Sequence, residues 1–484
     1  MSRSGELFVR VDRAADAPLS VQIAASVRAA VLGGALGPGD TLPSSRALAA
    51  DLGVSRGVVV NAYEQLVGEG FATGRRGGGT VVAVRPDGTA SRAPSGPDQA
   101  ADESVARAVL DLTPGRPATR LLQDPEWRSA WRRAVAESVP AEPPDHLGLP
   151  SLRHAVAVYL HRVRGVEATA DEVLITAGAS DALVLVAMAL GAGQHRPRIV
   201  VEDPSYPTAR RVLSAAGARV EALPVDADGP RVADLAALSP APDAVLLTPS
   251  HQYPLGGRMP VQEQLDLLRW AAAEEVVVLE DDYDSEFRHR RRPLPAMASL
   301  PSRADVVLIG SWSKTLTPWL RCGWMIVRGS VGDRLRATRA QLDTPVSGVQ
   351  QAALAYFLSG GGLARHTARA QRQYSHRRGL VAAALGNRPD VTLGALDGGL
   401  HVVVHLSPGT DAAALVRAAA RRGVIVADLA DYYAAPASSP GLVLGYGAPT
   451  DLELRRALSV LTTLLDTTRL TGSPDEGDTA VLRD

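Results

Sequence analysis

The chain has 484 residues, a formal net charge of −1, 46% hydrophobic residues and 21% charged ones. This composition indicates a globular protein of two or three domains and argues against one that coats nucleic acid along its whole length. The single cysteine, Cys322, excludes an intramolecular disulfide and a cysteine-based metal site. No apolar stretch reaches the roughly 18 residues of a membrane span, and Met1 to Arg13 lack a signal-peptide core, so we expect a cytoplasmic protein.

Three short helices are predicted near the start of the chain. They span Ser20 to Leu32, the stretch from the Ser44-Ser45 pair to Leu52, and Arg56 to Glu69. Gly53 supplies the turn between the second and third helices, and Ser55 is placed to cap the third. Two short helices joined by such a turn form a helix-turn-helix unit, whose second helix presents its N-terminal side chains to the major groove.

The run Phe71 to Val82 predicts a hairpin with a glycine-rich, basic tip. Such a wing can place Arg75 and Arg76 against phosphates or into the minor groove. The alternative interpretation of the segment is a small helical dimerisation module. The candidate DNA-binding residues are Ser44, Ser45, Arg46, Ser55, Arg56, Arg75, Arg76, Gly78 and Thr80.

Two stretches have the composition of unstructured chain. Residues 85–106 contain proline and glycine among small polar residues, which is typical of a linker. Residues 471–484 are acidic and rich in glycine, and we expect a disordered tail there. These boundaries predict a DNA-binding domain over residues 1–84 and a second domain over residues 107–470.

The second domain alternates apolar runs with helical patterns. The runs are rich in valine, isoleucine and leucine, which is typical of a parallel sheet buried on both faces, so the fold class is α/β. The predicted strands are Val173 to Thr176, Arg198 to Glu202, Val220 to Pro224, Ala244 to Thr248, Val276 to Glu280 and Val306 to Gly310. The runs Leu400 to Leu406, Val424 to Ala427 and Leu442 to Tyr446 indicate a smaller C-terminal α/β unit.

Lys314 is the only lysine, and the other fifty cationic residues are arginines. An amine can lose its proton and form a Schiff base with an aldehyde, which a guanidinium cannot, so this position suggests a carbonyl cofactor such as pyridoxal 5'-phosphate. Lys314 follows the last predicted parallel strand, at the point where side chains enter a cleft. The alternative is a surface-loop lysine.

The other groups that such a pocket needs also follow predicted strands. Gly178 to Asp181 open a helix whose N-terminus can hold phosphate. Asp281 can keep the pyridine nitrogen protonated, Tyr283 can bond the phenolic oxygen, and Tyr206 can stack on the ring. Each feature alone is more often a cap or a turn. The candidate cofactor-binding residues are Lys314, Asp281, Tyr283, Tyr206, Ala179, Ser180, Ser311, Ser313, Arg321 and His251.

The first segment resembles the winged helix of GntR regulators. The matching runs are Leu42-Pro43-Ser44-Ser45-Arg46-Ala47-Leu48-Ala49, Gly53-Val54-Ser55-Arg56 and Ala62-Tyr63-Glu64-Gln65-Leu66. The resemblance implies that Arg46 and Arg56 contact operator DNA. Val58 and Val60 depart from the family pattern of threonine and a basic residue, which leaves fewer polar contacts for the recognition helix.

Residues 107 to 465 resemble fold-type I aminotransferases. The matching motifs are Gly148 to Arg153, Ala177 to Leu183 and Ser311 to Lys314. The fusion to a winged helix, together with Thr248 to Gln252 and Glu280 to Phe287, is similar to the MocR subfamily. The resemblance implies that pyridoxal phosphate, held by Lys314, is sensed and that the change is transmitted to DNA binding. It also implies a homodimer, and it suggests control of vitamin B6 metabolism.

Two departures separate the chain from working aminotransferases. The loop Ser250 to Gly256, which includes His251, replaces their Asn-Pro-x-Gly turn, and Gly441 to Tyr446 lacks the arginine that binds the substrate carboxylate. We therefore expect pyridoxal phosphate, or its adduct with an amine, to be the effector of a DNA-binding regulator. The alternatives are an active aminotransferase with an accessory helical domain and a DNA-binding scaffold that has lost its cofactor.

Overall fold

The computed structural model describes residues 9, 11–13, 17–75, 79–83, 109–191, 195–226, 229–288 and 295–471, apart from the side chains of residues 75 and 468–471. The predicted linker therefore lies outside the described residues, as does the predicted tail beyond Thr471. The chain divides into two compact units, Met1–Val109 with Pro449–Arg456 and Leu110–Ala448 with Ala457–Asp484. No helix in the described ranges is long and apolar enough to cross a membrane.

The first unit is a three-helix bundle followed by a hairpin. Its elements are α1 (Leu19–Leu32), α2 (Ser45–Leu52), α3 (Arg56–Gly68), β1 (Ala72–Arg75) and β2 (Gly79–Val82). The two strands pair antiparallel, as the predicted wing requires. Apolar residues at helical spacing form the core, because α1 and α3 turn those faces toward each other. They include Ile23, Val27, Val59, Ala62 and Leu66.

The predicted helix boundaries of this unit hold, with one correction. The Ser44 hydroxyl accepts a hydrogen bond from the Ala47 N–H and caps α2, and Gly53 ends that helix with a positive φ of 62°. Ser55 occupies the N-cap position of α3, but its side chain makes no capping hydrogen bond. The reason is that the Val58 N–H, which the hydroxyl would satisfy, bonds the Ser55 carbonyl oxygen at 3.0 Å.

The second unit contains the remaining strands and helices. Its strands are β3 (Leu110–Asp111), β4 (Val173–Thr176), β5 (Arg198–Asp203), β6 (Arg219–Pro224), β7 (Ala244–Leu247), β8 (Val277–Asp282), β9 (Val306–Ser311), β10 (Gly323–Ile326), β11 (Val391–Gly394), β12 (His401–Leu406), β13 (Val424–Ile425), β14 (Ala427–Asp428) and β15 (Gly441–Gly445). The helices before β11 are α4 (Pro125–Ala136), α5 (Pro150–Arg164), α6 (Ala179–Leu190), α7 (Pro207–Ala215), α8 (Val232–Ala236), α9 (Val261–Ala273), α10 (Gly329–Leu342), α11 (Gly348–Ser359) and α12 (Gly362–Leu385). Two more follow, α13 (Ala412–Arg421) and α14 (Asp451–Thr471), of which α14 belongs to this unit only from Ala457 onward.

The large sheet has seven strands in the order β4-β10-β9-β8-β7-β5-β6. All six predicted strands belong to it, and five of them, from β6 to β9, run parallel. The strand that the sequence did not predict is β10, which pairs antiparallel with both β4 and β9. Helices pack on both faces, so the strand interiors are buried. The carboxyl ends of the parallel strands therefore meet at one edge, where sites form in such sheets.

A smaller sheet forms the C-terminal part of this unit. It has the antiparallel order β11-β12-β15-β14, and a two-stranded parallel pair joins β13 to β3. The expected smaller α/β unit is thus present, with β12 and β15 at its centre. Both central strands are fully or almost fully buried, which explains their near-continuous apolar sequences.

Candidate functional site

Lys314 lies in the turn after β9, at the carboxyl edge of the large sheet. Its Nζ donates a hydrogen bond to the Gly115 carbonyl oxygen at 3.0 Å and lies 5.9 Å from the centroid of the Tyr206 ring. Burial lowers the pKa of the Lys314 amine, although Asp281 and Asp284 act in the opposite direction. A lowered pKa leaves more of the amine unprotonated at neutral pH, the form that attacks a carbonyl.

Gly115 is shaped to receive that lysine. Its φ is +79°, and a Cβ at this position would lie 2.4 Å from Lys314 Nζ. The positive φ favours glycine at this position, and a side chain there would displace the amine from its present place. Gly115 and Lys314 are 199 residues apart in sequence.

Asp281 and its two neighbours on β8 face opposite sides of the sheet, as strand alternation requires. Asp282 and Glu280 pair with the buried Arg164, at 2.7 Å and 3.8 Å respectively. Asp281 lies on the side of Lys314, and the two side chains interact electrostatically. Burial, reinforced by Asp282, raises the pKa of Asp281 to about 7 against the opposing effect of Lys314.

The N-terminus of α6 forms an anion cradle. Its N-cap, Gly178, has φ +89° and ψ 179°, a conformation that is almost confined to glycine. A Cβ on Gly178 would lie 3.9 Å from the guanidinium carbon of Arg321. The first turn of α6 therefore begins beside the Arg321 guanidinium, and the N–H groups of a helix N-terminus together with a guanidinium can bind a phosphate. Ser311 and Ser313, which lie just before Lys314 in sequence, are hydrogen-bonded to each other at 2.8 Å.

Tyr283 follows β8, and its hydroxyl lies 2.9 Å from Nδ1 of His251. The same Nδ1 lies 2.8 Å from Oδ2 of Asp284. The side chains of His251 and Asp284 are 1% and 2% exposed, so both are cut off from water. The His251 and Tyr283 rings stack with centroids 5.9 Å apart. Burial raises the pKa of Tyr283 well above its ordinary value, so its hydroxyl remains protonated at neutral pH.

Aromatic rings surround Tyr253 on one side of Lys314. The Tyr253 ring makes edge contacts with four other rings at centroid distances of 5.0 to 6.0 Å: His401, Tyr283, Tyr432 and Tyr206. Val443 on β15 is fully buried in the same apolar cluster as Tyr253 and Tyr432. The run Gly441 to Tyr446, which the sequence singled out for its missing arginine, is therefore packed core.

The structure thus places the predicted cofactor residues along one edge of the large sheet. Sequence reasoning missed Gly115, Asp284, Tyr253 and Tyr432, which contact them. Asp284 lies within the Glu280 to Phe287 motif, so the sequence contained a signal that could have identified it as a site residue. The turn Thr113-Pro114-Gly115 signals a tight bend and nothing about Lys314.

The helix-turn-helix presents its predicted contact residues on the surface. Ser44, Arg46, Ser55 and Arg56 are exposed, while Ser45 and Thr80 are half-buried. The Arg56 Nε donates to the Ser45 hydroxyl at 3.2 Å, so the N-termini of α2 and α3 lie together. Behind them, the buried Tyr63 donates its hydroxyl proton to the Pro43 carbonyl oxygen at 2.8 Å and holds α3 against the start of α2. Arg76, Gly78 and the Arg75 side chain lie outside the described residues.

Comparison with known proteins identifies both parts of the chain. Residues 19–82 match the family of bacterial regulatory proteins of the gntR family, and residues 107–458 match the aminotransferase class I and II family.

Relatives in two organisms share both parts. The HTH-type pyridoxine biosynthesis transcriptional regulator PdxR of Corynebacterium glutamicum is 38% identical over 91% of this chain and 94% of its own. The probable rhizopine catabolism regulatory protein MocR of Rhizobium meliloti is 32% identical over 93% of this chain and 94% of its own. Among solved structures, an archaeal alanine:glyoxylate aminotransferase superposes with a TM-score of 0.69 at 22% identity, covering 75% of this chain and 92% of its own.

Proposed function

The chain belongs to the MocR-type regulators of the GntR family, and we propose that its binding to operator DNA responds to pyridoxal 5'-phosphate. One observation carries the proposal: the only lysine of the chain lies 5.9 Å from the centroid of the Tyr206 ring and interacts with the Asp281 carboxyl, in the same chain as a winged helix. Fold-type I aminotransferase-like domains take pyridoxal phosphate as their cofactor. The cofactor supplies an aldehyde that links covalently to a primary amine.

The residues at the sheet edge fit that group. Lys314 supplies the amine, and Arg321 with the first turn of α6 supplies donors for a phosphate. Asp281 would hold a proton on the pyridine nitrogen, since an ionised carboxylate stabilises a neighbouring positive charge. Tyr206, which is 46% exposed, would cover the open face of the ring. The hydroxyl of Tyr283 would face the phenolic oxygen.

The winged helix supplies the DNA contacts in this proposal. GntR-type winged helices bind operator DNA, and the exposed Arg46 and Arg56 are positioned at the adjoining N-termini of α2 and α3. A recognition helix contacts base edges and phosphates with its N-terminal residues. Arg75 and Arg76 of the wing would add phosphate or minor-groove contacts. Val58 and Val60 give the same helix an apolar flank, so phosphate contacts carry much of the affinity.

The effector that the site favours is pyridoxal phosphate itself or its adduct with an amine. Val443 is buried in the same apolar cluster as Tyr253 and Tyr432, and the run Gly441 to Tyr446 contains no arginine, so this strand offers no guanidinium for an amino-acid carboxylate. A buried carboxylate without a cationic partner is costly. This observation disfavours the alternative of an aminotransferase acting on amino acids. Pyridoxal phosphate as the effector agrees with a role of this regulator in vitamin B6 supply.

The proposed assembly is a homodimer with two winged helices. Aminotransferase-like domains of this type are generally dimeric, and a twofold axis matches paired operator half-sites. In such an assembly the cofactor changes DNA affinity by favouring one spacing between the two winged helices.

Operator binding at increasing cofactor concentration tests the proposal. An operator is first selected from random duplex DNA, and its dissociation constant is measured with and without pyridoxal phosphate. We expect the constant to change in the wild type and to stay fixed in Lys314→Ala. Equal responses in the two proteins would refute a sensor that works through Lys314.

A further inference from the structure

His251 and Asp284 form a buried ionisable pair to which the proposed function gives no role. His251 lies in the loop after β7, and Asp284 lies just beyond β8. The two are joined by a contact of 2.8 Å between Nδ1 and Oδ2. Nδ1 also lies 2.9 Å from the Tyr283 hydroxyl, and among the described residues Nε2 has no hydrogen-bond partner.

We infer that His251 and Asp284 are positioning residues for Tyr283, and that the pair directs the tyrosine proton away from His251 and toward the phenolic oxygen of the bound cofactor. The inference rests on the proposed cofactor site. It assigns His251 to a role behind Tyr283 in place of direct contact with the cofactor.

The chemistry of a single ring nitrogen leads to this assignment. Nδ1 of a neutral histidine either carries a proton or presents a lone pair. With a proton it donates to Asp284, and Tyr283 has no acceptor there. With a lone pair it would accept the Tyr283 proton, but it would also face a carboxylate oxygen at 2.8 Å with no hydrogen between them. The second arrangement leaves a buried carboxylate without its donor, which costs more than one tyrosine hydrogen bond stabilises.

The surroundings keep Asp284 ionised. Burial by itself would raise the pKa of Asp284, but the contact with His251 and the charge of Arg288 outweigh it and lower the pKa below its ordinary value. The backbone of Gly399 closes the pair off: a Cβ there would lie 2.4 Å from Oδ2 of Asp284 and 2.8 Å from Cε1 of His251. A carboxylate that is ionised and enclosed fixes the histidine tautomer.

The other charged groups around the pair do not compete for the Tyr283 proton. His401 lies with its ring 5.5 Å from that of His251, and its Nε2 bonds the Pro254 carbonyl oxygen at 2.9 Å. Burial lowers the pKa of His401 to about 4, so it is neutral at pH 7. Arg288 is a fixed cation whose guanidinium donates to the Ser250 carbonyl oxygen. Tyr446 donates its proton to the Gly399 carbonyl oxygen at 2.8 Å.

Two further titratable groups, Asp281 and Lys314, face the same space from β8 and from the turn after β9. Tyr253 packs edge-on against Tyr283 with ring centroids 5.4 Å apart. Substitution of Asp284 also removes a negative charge that acts on Asp281 and Lys314, so the effect of the pair on Tyr283 is isolated by comparing the shift with that in a Tyr283→Phe background.

The measurable consequence is a change in the pH at which the bound cofactor changes colour. A proton donated by Tyr283 stabilises negative charge on the phenolic oxygen and so lowers the pH midpoint of the visible absorbance. In Asp284→Ala, Nδ1 is free to accept the Tyr283 proton, and the midpoint should rise by about one pH unit, the effect of one hydrogen bond to a charged group. The matched control is Asp203→Ala, another buried carboxylate at this sheet edge, which bonds the Ala434 N–H and should leave the midpoint unchanged.

A double substitution separates positioning from a general structural effect. Tyr283→Phe should raise the midpoint by itself, and adding Asp284→Ala should then produce no further rise, because the proton that the pair directs is gone. An Asp284→Ala midpoint equal to that of the wild type would overturn the inference. The same rise in the wild-type and the Tyr283→Phe backgrounds would also overturn it.

Variants at His251 keep the test decisive if Asp284→Ala does not fold. His251→Asn places an amide N–H near the position of Nδ1 and retains the donation to Asp284, so its midpoint should stay at the wild-type value. His251→Ala removes that donor and leaves the carboxylate to draw the Tyr283 proton, so its midpoint should rise. Equal midpoints in these two variants would contradict the inference.

A control on attachment distinguishes this inference from the proposed function. Borohydride fixation of pyridoxal phosphate onto Lys314 is followed by peptide mapping in the wild type and in every variant. If the cofactor is fixed onto Lys314 in every variant and the midpoints do not change, only the role of the His251 and Asp284 pair is refuted. If borohydride attaches no pyridoxyl group to Lys314 in the wild type, both the cofactor site and the inference that rests on it are refuted.

Discussion

The cradle at the start of α6 makes a quantitative prediction, because its first residue must be glycine. Gly178 has φ +89° and ψ 179°, where an alanine is strained by about 1–3 kcal/mol. In Gly178→Ala the backbone relieves this strain by rotating away, which turns the N–H groups of Ala179 and Ser180 out of position. The new methyl group would also contact the Arg321 guanidinium, since its Cβ lies 3.9 Å from the guanidinium carbon.

Recovering the strained conformation when the cofactor binds costs the same free energy. The affinity for pyridoxal phosphate should therefore fall by about 5- to 150-fold, the range that 1–3 kcal/mol represents. Absorbance titration of the cofactor-free protein measures this change. The matched control is Gly217→Ala, which also has a positive φ, +95°, but has nothing within 4 Å of its Cβ.

Gly217→Ala should lower the free energy of unfolding without changing cofactor affinity. Wild-type affinity in Gly178→Ala would refute the assignment of the cradle. Equal losses of affinity in both variants would show that the effect comes from general destabilisation.

Three further predictions follow from the same sites. Asp281→Asn should stabilise the cofactor-free protein against denaturant more at pH 8 than at pH 5. The pKa of the Asp281 carboxyl is raised to about 7, so the carboxyl is ionised in the folded protein only above that pH, and an ionised buried carboxylate destabilises the fold. A difference in unfolding free energy between variant and wild type that is the same at both pH values would contradict this prediction. Arg46→Ala and Arg56→Ala should each weaken operator binding and reduce the slope of log affinity against log salt concentration by about one. The control Arg162→Ala, at an exposed position in the second unit, should change neither the affinity nor the slope. Unchanged slopes in the first two variants would refute the assignment of Arg46 and Arg56 as phosphate contacts. L-amino acids at millimolar concentration should leave the visible absorbance of the bound cofactor unchanged, because the run Gly441 to Tyr446 has no arginine to bind their carboxylate. Rapid bleaching would favour the aminotransferase alternative.

The main features of the site could be predicted because a parallel sheet brings its strand ends together. Lys314, Asp281 and Tyr206 each follow a continuous apolar run, and such runs end at one edge when the strands are parallel. The strand boundaries came from the same apolar runs. The sequence also predicted the fully apolar strand around Val443, which the structure shows as buried core.

Contacts between distant turns could not be predicted in this way. The bond from Lys314 to the Gly115 carbonyl depends on how the residues after β3 fold back, and a tight bend carries no information about its tertiary partner. The sequence did not predict the strand β10, Gly323–Ile326, because its glycine, tryptophan and methionine lack the continuous valine, isoleucine and leucine of the predicted strands. The link between His251 and Asp284 joins two loops, and only the fold shows that they meet.

Reciprocal titration of cofactor and DNA tests the central claim most directly. If the cofactor changes operator affinity by some factor, thermodynamic linkage requires operator to change cofactor affinity by the same factor. Pyridoxal phosphate is therefore titrated into the full-length protein with and without the selected operator, and the ratio of the two dissociation constants is compared with the ratio found for DNA. We predict equal ratios that differ from one in the wild type, whereas identical cofactor affinities with and without operator would contradict a regulator that senses pyridoxal phosphate at Lys314.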